Sequence, residues 1–126
     1  MTPEEHGNIT HVMQSYFDGL YHADSTLLRK VFHPKLAYVC ATEGDALYLD
    51  LDTYMSRVDQ REAPAKRNEH RRDRILEVSI KSPRLAHVSA RMTMMDRDYL
   101  DVLTLVPYGG EWRVISKVFS YVEKDA

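Results

Sequence analysis

Cysteine is nearly absent from the chain: Cys40 is the single one in 126 residues. That excludes an intrachain disulfide and a cysteine-built zinc site. An excess of charge of either sign is missing too. Seventeen Lys and Arg face nineteen Asp and Glu, for a formal net charge of -2. Nucleic acid and acidic membrane surfaces call for a basic excess, so neither is expected as the main partner. Fully apolar runs extend over only a few residues, far short of a bilayer span. The opening Met-Thr-Pro-Glu-Glu-His has neither the basic region nor the apolar stretch of a secretory signal. These absences together predict a cytoplasmic protein in a reducing setting. P-loop, dinucleotide-fingerprint, nucleophile-elbow and HExxH motifs are also missing, so no cofactor is implied. What the chain does have is 44% hydrophobic residues, enough for one core, at a length that suits a single domain over residues 1–126.

Periodicity orders that material. Ile9, Val12, Met13, Tyr16, Phe17, Leu20 and Tyr21 form one apolar stripe of a long first helix. Thr2 suits its N-cap, Pro3 its first position, and Glu4 and Glu5 its positive end. Gly19 within it suggests a close approach by another element. Asp24 or Ser25 begins a second, short helix with Leu27, Leu28, Val31 and Phe32, stopped at His33-Pro34. Residues 35–42 read as a strand apolar on both sides, and residues 46–49 as a short strand pairing back. Asp50 or Asp52 starts a third helix to about Arg61, with Leu51, Tyr54, Met55 and Val58 inward.

Residues 57–74 hold seven Lys or Arg and four Asp or Glu. A mixed-sign run of this kind is either a solvated loop or an anion-attracting rim beside a pocket, with Arg71 and Arg72 as contributors. Strands follow over 75–81, 85–95, 99–106 and 112–122, the last two joined by a hairpin at Gly109-Gly110. The fold class is therefore α+β: three N-terminal helices on a mostly antiparallel sheet. The second sheet face is apolar as well and no helix remains to cover it. A homodimer through that outer face is expected.

Two stretches carry a family resemblance. One is Tyr16-Phe17-Asp18-Gly19-Leu20-Tyr21 with Asp24, Leu28 and Val31-Phe32-His33-Pro34. The other is Asp101-Val102-Leu103-Thr104-Leu105 with Gly110-Glu111-Trp112-Arg113-Val114-Ile115 and Ser116-Lys117-Val118-Phe119. They resemble the nuclear transport factor 2-like superfamily, which includes ketosteroid isomerases, scytalone dehydratase and polyketide cyclases, and within it the branch labelled "putative lumazine-binding". The resemblance implies a cystatin-like cone, with the helices in the concave face of a curved sheet and a pocket between them. It implies no particular reaction.

A two-residue Gly109-Gly110 turn pairs Thr104 with Ile115, Val102 with Lys117 and Leu100 with Phe119, and sends Asp101 to the opposite face. A three-residue turn puts Asp101 beside Lys117 instead. With the resemblance, the expected pocket wall is Tyr16, Tyr38, Cys40, Met92, Met94, Thr104, Lys117 and Phe119. Lys117 is either a snorkelling surface residue or a pocket cation for a carboxylate or phosphate. Tyr16 is either a core aromatic or, as in the isomerases, a hydrogen-bond donor to an oxyanion. Cys40 and Thr104 stand where the resemblance places the isomerase's two acids, which argues against steroid isomerisation. Cys40 itself is a buried small hydrophobe or a reactive thiol. Asp101, His33 and His87 are further acid–base candidates, since the dehydratase and cyclase relatives use His and Asp. His22 and Asp18, at i and i+4, have metal-ligand spacing but equally describe an exposed helix face, and no metal is expected. The expected function is binding of a planar or anionic small organic molecule. The alternatives are acid–base catalysis in the same pocket and a protein-interaction module.

Overall fold

A computed structural model describes residues 2–124. Its helices form where the caps and apolar stripes fall. Helix α1 (Pro3–Tyr21) opens on a reciprocal cap: the Thr2 hydroxyl accepts from the Glu5 N–H at 3.1 Å, and the Glu5 carboxylate accepts from the Thr2 N–H at 3.2 Å. Ile9, Met13, Tyr16, Phe17 and Leu20 are buried along it. Helix α2 (Ser25–Val31) is capped by Asp24. Helix α3 (Leu51–Gln60) is capped by Asp50, whose carboxylate accepts from the Thr53 N–H at 2.9 Å, and it buries Leu51, Tyr54, Met55 and Val58. A short 3-10 turn, Pro64–Arg67, interrupts the charged segment that follows.

The strands are β1 (Phe32–Cys40), β2 (Leu47–Leu49), β3 (Arg74–Ser82), β4 (Leu85–Met94), β5 (Arg97–Tyr108) and β6 (Glu111–Glu123). They form one sheet in the order β2-β1-β6-β5-β4-β3. Only the β1–β6 pair is parallel. β1 starts at Phe32, three residues earlier than the proline suggests. The ladder to β6 is irregular between Phe32 and Ala37, which accommodates Pro34. The protein is thus α+β, with three helices and a six-stranded, mostly antiparallel sheet. The helices share one buried core with Leu36 and Cys40 of β1, Val88 and Ala90 of β4, Leu103 and Leu105 of β5, and Val114 and Phe119 of β6. We call this the helix-covered face.

The hairpin corrects the expected register. The turn is indeed Gly109-Gly110, both at positive φ, with Tyr108 opposite Glu111. Further in, Leu105 pairs with Val114 and Thr104 with Ser116, so Ile115 is an extra residue in the ladder. This bulge slides every later pair by one and reverses the faces. Leu103, not Val102, lies opposite Lys117, and Asp101, not Leu100, lies opposite Phe119. Val114 rather than Ile115 is fully buried. Thr104 falls on the outer face, between Ser116 and His87.

Gly19 shows the close approach that its position suggests. A Cβ there would lie 2.6 Å from Leu28 Cδ2 of α2, and Leu28 is itself fully buried. Gly7, in the same helix, has nothing within 4 Å. Gly19→Ala should therefore destabilise the protein by about 1–3 kcal/mol through overpacking, while Gly7→Ala should stabilise it by up to about 1 kcal/mol through helix propensity. Urea denaturation of the two variants measures both signs.

Candidate functional site

Two charged side chains are buried among the described residues: Asp101 at 1% and Lys117 at 4% exposure. They sit on neighbouring strands of the helix-covered face, one step apart along the ladder. Aromatic side chains surround them. The Lys117 Nζ donates to the Tyr54 hydroxyl at 3.1 Å. It lies 5.1 Å from the ring centre of Tyr16, 5.6 Å from Tyr38, and 5.2 Å from both Tyr54 and Phe119. Four ring faces at that range stabilise a desolvated ammonium.

Asp101 is held from the other side. The Tyr16 hydroxyl donates to its Oδ2 at 2.5 Å, and its Oδ1 is buried with no hydrogen-bond partner. Burial first, and then the nearby Asp101 carboxylate, raise the Tyr16 pKa well above its ordinary value, so the phenol keeps its proton and remains a donor. Burial likewise raises Tyr54, and it pushes Tyr38 up to about 12 although the Lys117 charge pulls the other way.

A cavity of about 130 Å³ opens above Lys117. Tyr38, Cys40, Tyr54, Met94, Lys117 and Phe119 line its interior. Its mouth carries three arginines, Arg57 and Arg61 from the end of α3 and Arg97 from β5. The acid in the lining is Asp45, which accepts a hydrogen bond from the Tyr121 hydroxyl at 2.6 Å. The cavity is thus aromatic inside and cationic at both ends. A larger depression of about 410 Å³ lies between Ser15 of α1, Lys30 of α2 and Trp112 of β6. It contains no buried charge.

Of the residues expected in the pocket wall, Tyr38, Cys40, Met94, Lys117 and Phe119 line the cavity. Tyr16 lies behind Lys117 with its hydroxyl on Asp101, not in the lining. Met92 is buried on the same face beside Tyr99 but outside the cavity. Thr104 is on the wrong face because of the bulge, which also brings Asp101 to Tyr16. His33 packs against Tyr108 at 4.7 Å and accepts from the Lys35 N–H, and His87 sits on the outer face 3.6 Å from Glu77. Neither reaches the cavity. Asp18 pairs with Arg71 at 2.8 Å, and Arg71 also bonds Asp73 and covers the Tyr21 ring. From the charged segment, Arg57 and Arg61 rather than Arg71 and Arg72 therefore join Arg97 at the rim. Sequence reasoning missed Tyr54 as a site residue, since at helical spacing it is one more inward aromatic.

The comparisons agree with this architecture. The family described as "Putative lumazine-binding" matches residues 4–120. The chain belongs to that family. Among solved structures it is similar to an NTF-2 like protein of unknown function from Silicibacter pomeroyi, at 24% identity and TM-score 0.82, covering 97% of this chain and 100% of that one. It is also similar to an NTF2-like protein of unknown function from Shewanella baltica, at 19% identity and TM-score 0.85, covering 98% and 99%. A ketosteroid isomerase-like protein from Erwinia carotovora atroseptica matches at 15% identity and TM-score 0.73, covering 97% and 99%. A search of the curated proteins found no match. At these identities the structural likenesses establish the fold alone: the chain has the fold of the NTF2-like proteins, and its chemistry rests on its own residues.

The Tyr16–Asp101 bond can be tested directly. Tyr16→Phe strips Asp101 of its hydrogen bond and should cost about 1–3 kcal/mol. Tyr38→Phe, which removes a hydroxyl not bonded to a carboxylate, should cost less than about 1 kcal/mol. Paired denaturant titrations give the comparison.

Proposed function

We propose that the protein binds a small planar organic anion in the cone between helices and sheet, with Lys117 as the cation that receives the negative charge. One observation carries this: a lysine ammonium lines a cavity at 4% exposure with a single hydrogen bond, to a phenol. An ammonium has three protons to place, and a buried one left short of acceptors is costly. A ligand carboxylate or enolate supplies them. The three arginines at the mouth attract the same charge from a distance.

The test compares planar acids with their amides, in one-ring and two-ring versions, by calorimetry. On the unmodified protein the acids should bind more tightly than the amides. Lys117→Met, which fills a similar volume, should weaken the acids by about tenfold or more, equivalent to ~1.4 kcal/mol, and leave the amides within about threefold. Equal losses for acid and amide would reject the assignment.

A second function, acid–base catalysis, is favoured by the Tyr16–Asp101 pair at 2.5 Å, a phenol and a carboxylate in one dry site. Binding is preferred because both groups are spent on each other behind Lys117, and because the carboxylate in the lining, Asp45, is held by the Tyr121 hydroxyl.

The partner of the outer sheet face is proposed to be a second copy of the chain. Val102 and Val118 pair directly at its centre at 39% and 37% exposure, and Val122 extends the strip at 65%. A stable dimer of this kind buries roughly 1,200 Å² or more. Light scattering at micromolar concentration should give the dimer mass, and Val118→Lys should shift it toward the monomer. A monomeric mass for the unmodified chain overturns this assembly.

A further inference from the structure

We infer that the cavity is sized for a single-ring aromatic carboxylate, and that Met95, on the turn between β4 and β5, sets that limit. The inference rests on the anion-binding function proposed above and narrows it.

Size comes first. The cavity holds about 130 Å³. An enclosed apolar cavity of about 150 Å³ accommodates one benzene, and sites for larger organic ligands run from about 300 Å³ upward. The space is close to that of one six-membered ring, and a second fused ring exceeds it. The walls suit a ring. Tyr38 lies 4.1 Å from Tyr54 and 5.0 Å from Phe119, centre to centre, which leaves ring faces and edges for offset or edge-on contact. The floor suits a carboxylate. The Lys117 ammonium donates to Tyr54, and among the described residues no carboxylate lies within 4.0 Å of it. Its remaining protons can make charge-assisted bonds to a ligand anion.

Part of the cavity wall comes from a turn of unusual composition. Met94 and Arg97 pair across it, and the two residues between them, Met95 and Asp96, have φ of 54° and 61°. Two successive positive φ values are the pattern of a type I′ turn, where glycine or asparagine is the usual occupant and a methionine is strained. The turn is pinned in place. The Met95 N–H donates to Glu69 Oε1 at 2.9 Å, and the Lys124 N–H donates to the Asp96 carbonyl at 3.0 Å. A side chain held at a backbone cost has a role, and the Met95 side chain lines the cavity. Tyr121 and Asp45, hydrogen-bonded to each other, line it as well. Met95 is therefore the residue that stops a longer ligand.

Calorimetry with benzoate, 2-naphthoate and lumazine, on the unmodified protein and on Met95→Gly, tests this. Glycine suits the left-handed backbone at position 95, so the variant keeps the turn and loses only the side chain. The unmodified protein should bind benzoate at least tenfold more tightly than either two-ring compound, and Met95→Gly should narrow that gap at least tenfold. Tight binding of 2-naphthoate by the unmodified protein overturns the size limit and leaves anion binding standing, and tight binding of lumazine, which is largely uncharged at neutral pH, overturns the size limit. An unchanged preference in Met95→Gly overturns the role of Met95. Failure of benzoate and 2-naphthoate alike overturns the anion-binding function itself.

Discussion

The opposite charges of Asp101 and Lys117 lie inside the core without touching, and the surrounding structure depends on keeping both there. Each is expensive to desolvate alone. Here the cost is offset through phenols rather than by a direct ion pair. Tyr16 donates to the carboxylate, Tyr54 accepts from the ammonium, and the Tyr16 ring lies beside the same ammonium. The three elements that supply these groups, α1, α3 and the β5–β6 pair, are thereby fixed relative to one another. Each charge is held by its own phenol, so the Tyr16–Asp101 and Tyr54–Lys117 bonds tie the two helices to one place on the sheet.

The bulge at Ile115 makes this arrangement possible. Without it the pleat would turn Asp101 outward and bring Val102 beside Lys117, as the unbulged ladder requires. One inserted residue delivers the carboxylate to Tyr16 and removes Thr104 from the site. The same insertion leaves Val102 and Val118 together on the outer face. The chemistry of one face and the apolar strip on the other thus share a single cause.

The cavity follows from the same set of groups. Its floor is Lys117, its walls are the rings that surround that ammonium, and its mouth gathers arginines from α3 and β5. Family membership fixes the fold around this space and leaves its contents to the particular side chains. The arginines and Lys117 in the lining and Asp101 behind them make the site positive where a ligand enters and negative one layer deeper.

The helices and strands were legible in the sequence because caps, apolar stripes and the Gly-Gly hairpin are local signals. Thr2 with Glu5, the stripe from Ile9 to Leu20, the close approach at Gly19 and the turn at Gly109-Gly110 are all where the residues put them. Lys117, Tyr38, Cys40 and Phe119 were legible as neighbours because alternation along β1 and the end of β6 is regular. The placement of Asp101 and Thr104 was not, because β5 is apolar on both faces and a bulge leaves no mark in such a strand beyond the doublet Val114-Ile115. Nor was the choice of Arg57 and Arg61 over Arg71, since Arg71 is claimed by Asp18, distant in the chain. By itself, then, the sequence determined the elements and their order along the chain, set by contacts within a few residues, and left Lys117 open between a snorkelling side chain and a buried one. The tertiary structure alone decided which carboxylate, which tyrosines and which arginines meet that lysine, because register and long-range ion pairs depend on the balance of the whole packed core.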